Sequence, residues 1–372
     1  MKVRAPDETV PFLDLGEQHR ELAPRLLDEI ADLIDGGAFT NGPQVAEFEQ
    51  AFAEHCGAGH CVGLASGLDA LRLALIAAGM KPGDEVVLPA FTFAATLEAV
   101  VQAGARPVLA DVSEQDYCLE REAAEAAVSS KTRFLLPVHL YGQLADLGRL
   151  EAIGVPMLED ACQAHGAERD GRRAGSTGFA GAFSFYPSKN LGAFGDAGAL
   201  VTGDAKLAAQ VAALREHGQF RKYEHDLEGY TARLDTIQAL VLLRKLPLLE
   251  GWNDERRAAA SLYSEALAGV GDLVLPTVPD GSGPVWHLYV VRTERPDDLA
   301  VFLRERGIGT GRHYPQPLHL APAYAHLGYR RGEFPLSERL ASEVLSLPIF
   351  PGITASQISV VVEAVASYFQ RA

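Results

Sequence analysis

Between Gln44 and Tyr186, apolar runs too short to be helices (HCVGLAS, EVVLP, RPVLADV, RFLLPVHLYG, VPMLEDA and GAFSFYP) alternate with stretches of helical period. In one such stretch, VAEFEQAFAEHCG, Val45, Phe48 and Phe52 share a face; DALRLALIAAGM, closed by Gly79 and Pro82, then TFAATLEAVVQAG and LADLGRLEAIG repeat the pattern. Strands separated by helices pair in parallel, because a parallel neighbour can be reached only by a crossover connection. Such a sheet must be covered on both faces. The expected fold class is therefore α/β, with a large, mostly parallel sheet and ligands at the carboxyl ends of its strands.

After LREHGQFRKYEHDLEGYTARLD the pattern becomes a long helical run, TIQALVLLRKLPLLEGWNDERRAAASLYSEALAGV. PVWHLYVVRT, LAVFLRERG and ISVVVEAVASYFQ then read as a smaller α/β unit. The expected division is an N-terminal arm and large domain over 1–249 and a small C-terminal domain over 250–372, in keeping with roughly 150 residues per domain. Hydrophobic residues at 48% and charged residues at 22% exclude a disordered or fibrous chain. The net charge of −16 gives no general attraction for nucleic acid or an anionic membrane. A phosphate-bearing ligand must then be held by local basic groups or backbone amides.

No stretch of about 18 uncharged apolar residues occurs, and MKVRAPDETVPFLDL lacks a basic-then-apolar leader, so a cytoplasmic location is expected. Cys56, Cys61, Cys118 and Cys162 form no CxxC pair, which suggests neither a disulfide framework nor a zinc site. HExxH and GxxxxGK[ST] are absent.

Three segments carry chemistry. Ser66-Gly67-Leu68-Asp69 joins a strand to a helix, so its amides can cradle a phosphate, or Ser66 or Asp69 can simply cap the helix. Glu159 and Asp160 end a buried strand, where a carboxylate needs a positive partner. Asp160 can cap ACQAHG or face a protonated ring nitrogen. In GAFSFYPSKNLGAFGDAGAL, Phe183 and Phe185 point one way, Ser184 and Tyr186 the other, and Pro187 stops the strand. Lys189 follows, among Gly192, Gly195 and Gly198. Burial there would lower its pKa and make it a nucleophilic amine able to form a Schiff base; the alternative is a solvated lysine in a surface loop. The GxxGxxG spacing does not open a helix directly after a strand and is no dinucleotide fingerprint. Together these are the parts pyridoxal phosphate requires: a lysine for its aldehyde, a phosphate cradle and a carboxylate for its ring nitrogen.

SGLDAL, PAFTFAAT, PVHLYGQLADL, LEDACQAHGA, SFYPSKNLGAFGDAGALVTGD, HYPQPLH and LPIFPGIT occur in the order in which they occur in the DegT/StrS family of nucleotide-sugar aminotransferases, which the chain resembles from Val10 to its terminal helix. The resemblance implies the pyridoxal-phosphate-dependent fold type I, akin to aspartate aminotransferase. It implies Lys189 as the lysine that carries the cofactor, Asp160 as partner of the ring nitrogen and Gln163 as the contact to the ring hydroxyl. Phe93, otherwise readable as core, would stack on the ring. The amides of Gly67 and Leu68 and Ser184 Oγ would hold the phosphate. It implies a homodimer in which GQFRKYEHDLEGYTARLD completes the neighbour's site, with Thr231 near the phosphate.

Two positions depart from the family. Leu68 stands where many relatives have Thr, and Thr231 where Asn is common. Lys189 stands where dehydrating members carry His, which favours transamination. Arg221, Lys222, His225 and Arg312 are candidate contacts to a sugar diphosphate, against a reading as solvated charges. His313, Tyr314 and His319 in GRHYPQPLH are candidate substrate contacts; metal ligation lacks a carboxylate at suitable spacing, and no metal is expected. PVWHLYVVRT and HYPQPLH look most like enzymes that aminate 3-keto dTDP-sugars with L-glutamate as donor. The alternatives are a 4-keto-sugar or cyclitol aminotransferase, and a regulatory protein that binds the cofactor without turnover.

Overall fold

The computed structural model describes residues 9–371; the first eight positions of the expected N-terminal arm, and Ala372, lie outside the described residues. The apolar runs become β1 (His60–Leu64), β2 (Glu85–Pro89), β3 (Arg106–Ala110), β4 (Thr132–Leu135) and β5 (Leu158–Asp160). A small hairpin, β6 (Glu168–Arg169) and β7 (Arg172–Arg173), precedes β8 (Ala180–Ser184) and β9 (Gly198–Thr202). Hydrogen bonding orders the strands β1-β9-β8-β5 and β3-β2-β4. Parallel bridges from Leu135 to Met157 and from Val138 to Asp160 join the two sets into one sheet.

Of these seven strands, β9 alone runs against the rest. The alternation of strand and helix did not reveal β9. Every residue of GALVT is buried, so it carries no period-2 signal. It returns from β8 through the loop 185–197 without a crossover helix, which leaves only the antiparallel direction open.

The helix Pro43–Cys56 covers the sheet with the face read from its sequence. Phe48 and Phe52 are fully buried and meet Phe185 edge-on at centroid distances of 5.3 and 5.1 Å, and Phe52 meets Phe183 at 5.0 Å. The helix Gly67–Ala77 leaves β1 through Ser66, whose Oγ accepts from Asp69 N at 3.0 Å.

The long helical run is two helices, Thr236–Lys245 and Leu249–Ala266, joined by a 3₁₀ turn at Leu246–Leu248. Pro247, which has no N–H to donate, stands in that turn. Leu249 packs in the main core, whereas Ala259, Ala260 and Tyr263 of the same helix belong to a second one. Beyond a hairpin of β10 (Gln219–Arg221) with β11 (Glu224–His225), and β12 (Ser282–Gly283) paired to β6, the second core forms around β13 (Tyr289–Arg292) and β14 (Val344–Leu347). The helices Pro296–Arg304 and Ala355–Arg371 cover it. Val285, Leu318 and Phe334 pack back on the main core, so the later chain crosses between the two. No helix among the described residues is long and apolar enough to cross a membrane.

Phe52 sits where a helix, β8 and the loop after it converge. Phe52→Ala is expected to lower stability by about 3–5 kcal/mol through lost burial and a residual cavity, read as a lower midpoint in urea unfolding. A change under about 1 kcal/mol would show that this aromatic cluster is not central to the core.

Candidate functional site

Asp160 ends β5, Ser184 ends β8, and Ser66 lies two residues beyond β1, so the three stand together at the carboxyl edge of parallel strands. The segments touch through glycine. A Cβ on Gly67 would lie 2.5 Å from Cys162 Sγ and 2.9 Å from Ser184 Cβ, and one on Gly198 would lie 2.2 Å from Ser66 C. Backbone therefore packs on backbone around the turn. Among the described residues, the first two amides of the helix, on Gly67 and Leu68, donate to no protein acceptor. The capping reading of this turn is observed, and it leaves the two amides without a protein acceptor among the described residues.

Adjacent residues on a strand point to opposite faces, and this separates the two carboxylates. Glu159 is fully buried and accepts from Gly175 N (2.8 Å), Thr177 N (2.9 Å) and Gly178 N (2.8 Å), with His139 Nε2 at 2.9 Å. Burial alone would raise its pKa; the His139 contact and the Gly178 and Gly175 amides outweigh that and hold it below the usual range. Glu159 thus organises the loop 175–178. Asp160 faces the other way. Its Oδ1 accepts from Cys162 N (3.2 Å) and its Oδ2 from Thr96 Oγ1 (2.8 Å). The cap read from sequence is present, but no cation pairs with this buried carboxylate among the described residues.

Gln163 is buried beside it, accepting from Tyr141 N at 2.8 Å and donating to Tyr314 Oη at 3.2 Å. Burial raises the Tyr314 phenol well above its ordinary pKa, so it stays protonated. Phe93 lies just before the helix Ala94–Gln102 and is 55% exposed, its ring 5.6 Å from that of Tyr314. That exposure overturns the core reading of Phe93.

Lys189 stands on the loop after β8. Loss of water around the amine lowers its pKa, against the opposing pull of Cys162 and Asp160. Among the described residues its Nζ makes no hydrogen bond or ion pair. His165, His287 and His313 lie close enough to feel its charge. Burial depresses all three, His165 to about 3 and His313 to about 4, with Lys189 adding to the effect, so they are neutral near pH 7. The loop is fastened by Asn190 Nδ2, which donates to Asn253 Oδ1 (2.9 Å) and to the Val285 carbonyl (2.8 Å).

The other expected contacts have these surroundings. Arg221, Lys222 and His225 lie on the exposed β10–β11 hairpin; Arg221 is 3.5 Å from Glu224, and His225 Nδ1 is 2.9 Å from the His217 carbonyl. Thr231 Oγ1 is 3.3 Å from His217 Nε2. His313 Nδ1 is 2.8 Å from Ser346 Oγ.

Two expected contacts already have protein partners. Arg312 donates to Asp297 and to the Ala341 and Ser342 carbonyls, so its guanidinium is already engaged within the small unit. His319 is fully enclosed with Nε2 2.9 Å from Glu338 Oε1, a contact that secures that segment. Sequence reasoning missed Thr96 and Tyr141. Thr96 lies 64 positions from the carboxylate it meets, and spacing carries no trace of such a contact.

The model of the DegT/DnrJ/EryC1/StrS aminotransferase family matches residues 21–366. Along its whole length the chain is 45% identical to a dTDP-3-amino-3,4,6-trideoxy-alpha-D-glucose transaminase of Streptomyces venezuelae, covering 99% of it. Over 97% of its length it is 42% identical to a pleiotropic regulatory protein of Geobacillus stearothermophilus, covering 99% of that chain. Among solved structures it is similar to S. venezuelae DesV in complex with a ketimine intermediate, with a TM-score of 0.96, 45% identity and coverage of 99% of this chain and 100% of the other. The chain belongs to the DegT/DnrJ/EryC1/StrS aminotransferase family, on the fold of the pyridoxal-phosphate enzymes of type I.

Proposed function

We propose that the protein is a cytoplasmic homodimer that transfers an amino group from L-glutamate to C3 of a dTDP-linked 3-keto-6-deoxyhexose. One observation carries the chemistry: a desolvated amine on Lys189, with no hydrogen-bond or ion-pair partner among the described residues, lies within electrostatic reach of the buried carboxylate of Asp160. Full-length similarity to the Streptomyces transaminase supports the choice of sugar. The regulatory reading, which one relative's name keeps in view, leaves that amine without a purpose.

The cofactor is pyridoxal phosphate, and the residues present fit it. The free amides of Gly67 and Leu68 and the neighbouring Ser184 hydroxyl suit a phosphate, and a side chain at Gly67 or Gly198 would fill or push the cradle. When bound, the cofactor supplies an electron sink for a carbon that loses a proton. Asp160 would hold the proton on the ring nitrogen, kept in place by Cys162 N and Thr96 Oγ1. Gln163, fixed by Tyr141 N, would meet the ring hydroxyl, and the exposed face of Phe93 would stack on the ring. Lys189 Nζ would anchor the aldehyde carbon and, once released, carry the proton. His313 and Tyr314 would contact the sugar. Arg221, Lys222, His225 and Thr231 would reach the partner subunit's cleft. The helix Leu249–Ala266 would mark the division into units near 249.

Incubation with glutamate and a panel of 3-keto and 4-keto nucleotide sugars, read by NMR, should give amination at C3 of the dTDP sugar. Amination at C4 would overturn the regiochemistry, and absence of the glutamate half-reaction would overturn the activity. Borohydride should fix the cofactor on Lys189, and recovery on another lysine would refute that assignment.

Asp160→Asn keeps an acceptor for Cys162 N, so it should fold and bind cofactor yet lose about a hundredfold or more in the half-reaction. Turnover near that of the wild type would remove Asp160 from the chemistry.

Mixing Lys189→Ala protein with a double charge reversal, Arg221→Glu and Lys222→Glu, should restore activity, because one site of each heterodimer would contain neither lesion. Verified exchange without recovery would show that the hairpin serves its own chain.

A further inference from the structure

A second lysine is deeply buried, against the loop that carries the first. Lys245 ends the helix Thr236–Lys245 and is 1% exposed. Its Nζ donates to the Gly192 carbonyl and lies 3.0 Å from His19 Nε2, with the rings of Trp252 and Phe194 at 5.6 and 6.0 Å. No carboxylate pairs with it among the described residues. A buried ammonium held by a carbonyl, an imidazole and two ring faces is costly, and the same atoms could be covered by an apolar side chain. Its grip falls on one residue of the Lys189 loop.

Gly192 closes that loop. A Cβ there would lie 2.3 Å from the Pro187 carbonyl oxygen, so the two ends of the segment that bears Lys189 already touch. Lys189 N donates to the Tyr186 carbonyl (2.8 Å) and Ala193 N to the Phe185 carbonyl (2.7 Å). Lys245 Nζ is the partner of the Gly192 carbonyl among the described residues. Gln238, on the same helix, accepts from Phe194 N at 2.8 Å. One helix thus holds the loop at two points.

We propose that Lys245 is the positioning residue of Lys189: its charge-assisted bond to Gly192 keeps the loop closed and Lys189 aimed into the cleft, and the hold loosens when Lys245 loses its proton. The functional part of this inference rests on the reading of Lys189 given above; the grip itself does not. Burial lowers the Lys245 pKa to about 8. His19, the titratable group that faces it, is depressed to about 4 by burial and then by Lys245, and so remains a neutral acceptor throughout. The signs of the local and global effects differ. The unfolded chain binds this proton more tightly than the folded one, so the contribution of Lys245 to overall stability rises between about pH 8 and about pH 10.5. Over the same interval the bond to Gly192 weakens from charge-assisted to neutral. A merely structural lysine would not loosen one loop while favouring the fold.

The test is amide hydrogen exchange of the full-length holoenzyme, corrected for the intrinsic effect of pH, read at Lys189, Ala193 and Phe194. Protection in the wild type should fall about tenfold between about pH 7 and about pH 9.5. Lys245→Met should show the lowered protection at both pH values. Capture of added pyridoxal phosphate by the cofactor-stripped variant should slow about tenfold, with the wild type slowing in the same way at alkaline pH. Protection in Lys245→Met equal to that of the wild type, or wild-type protection constant with pH, would overturn the grip. Lowered protection with unchanged capture would overturn the positioning of Lys189. The pH series needs no variant, so it decides even if Lys245→Met fails to fold. Labelling of another lysine by borohydride would instead strike the reading of Lys189 and leave the exchange result standing.

Discussion

At Ser66, Gly67 and Gly198 the main chain packs on the main chain, and the rest of the site depends on that contact. The helix Gly67–Ala77 can begin there only because neither glycine presents a side chain, and the absent Cβ of Gly67 lets Ser184, at the end of β8, come close. The antiparallel return of β9 places Gly198 against Ser66. Topology and turn are therefore one feature: the reversed strand in an otherwise parallel sheet backs the helix start proposed above to hold the phosphate.

Electrostatics in the cleft follow from what is withheld from each charge. The chain carries a net charge of −16, yet Lys189 and Lys245 are placed where no carboxylate pairs with them among the described residues. Arg256 is similar, fully buried and bound to the Trp286, His287 and Ile349 carbonyls, with burial lowering its pKa to about 10. Carbonyls hold Lys245 and Arg256 in place without neutralising them. Three neutral imidazoles around Lys189 add polarity but no charge near pH 7. Lys189 and Asp160 thus remain the charges that a ligand with an aldehyde at one end and a basic ring nitrogen at the other could engage.

Segments whose signal is local were legible before the structure. β1 to β5 and β8 are short apolar runs with punctuation at their ends, and Ser66, Lys189 and Gln163 lie in continuous motifs. Long-range partners were not. Glu159 and Asp160 look alike in sequence, and only the direction of each side chain shows that one orders a loop while the other meets the cleft. Arg312, expected as a positive group for a sugar diphosphate, and His319, expected as a substrate contact, meet Asp297 and Glu338, partners that their own motif does not show.

By itself the sequence determined an α/β chain with a parallel sheet, a lysine among glycines after a strand, and a carboxylate at a strand end. Periodicity, punctuation and motif order are properties of neighbouring residues, and these features need nothing more. The tertiary structure decided which polar groups remained free. Whether a side chain can meet a ligand depends on whether another segment has satisfied it first, and Thr96, Lys245, Asp297 and Glu338 come to their partners across distances in the chain that no local pattern spans.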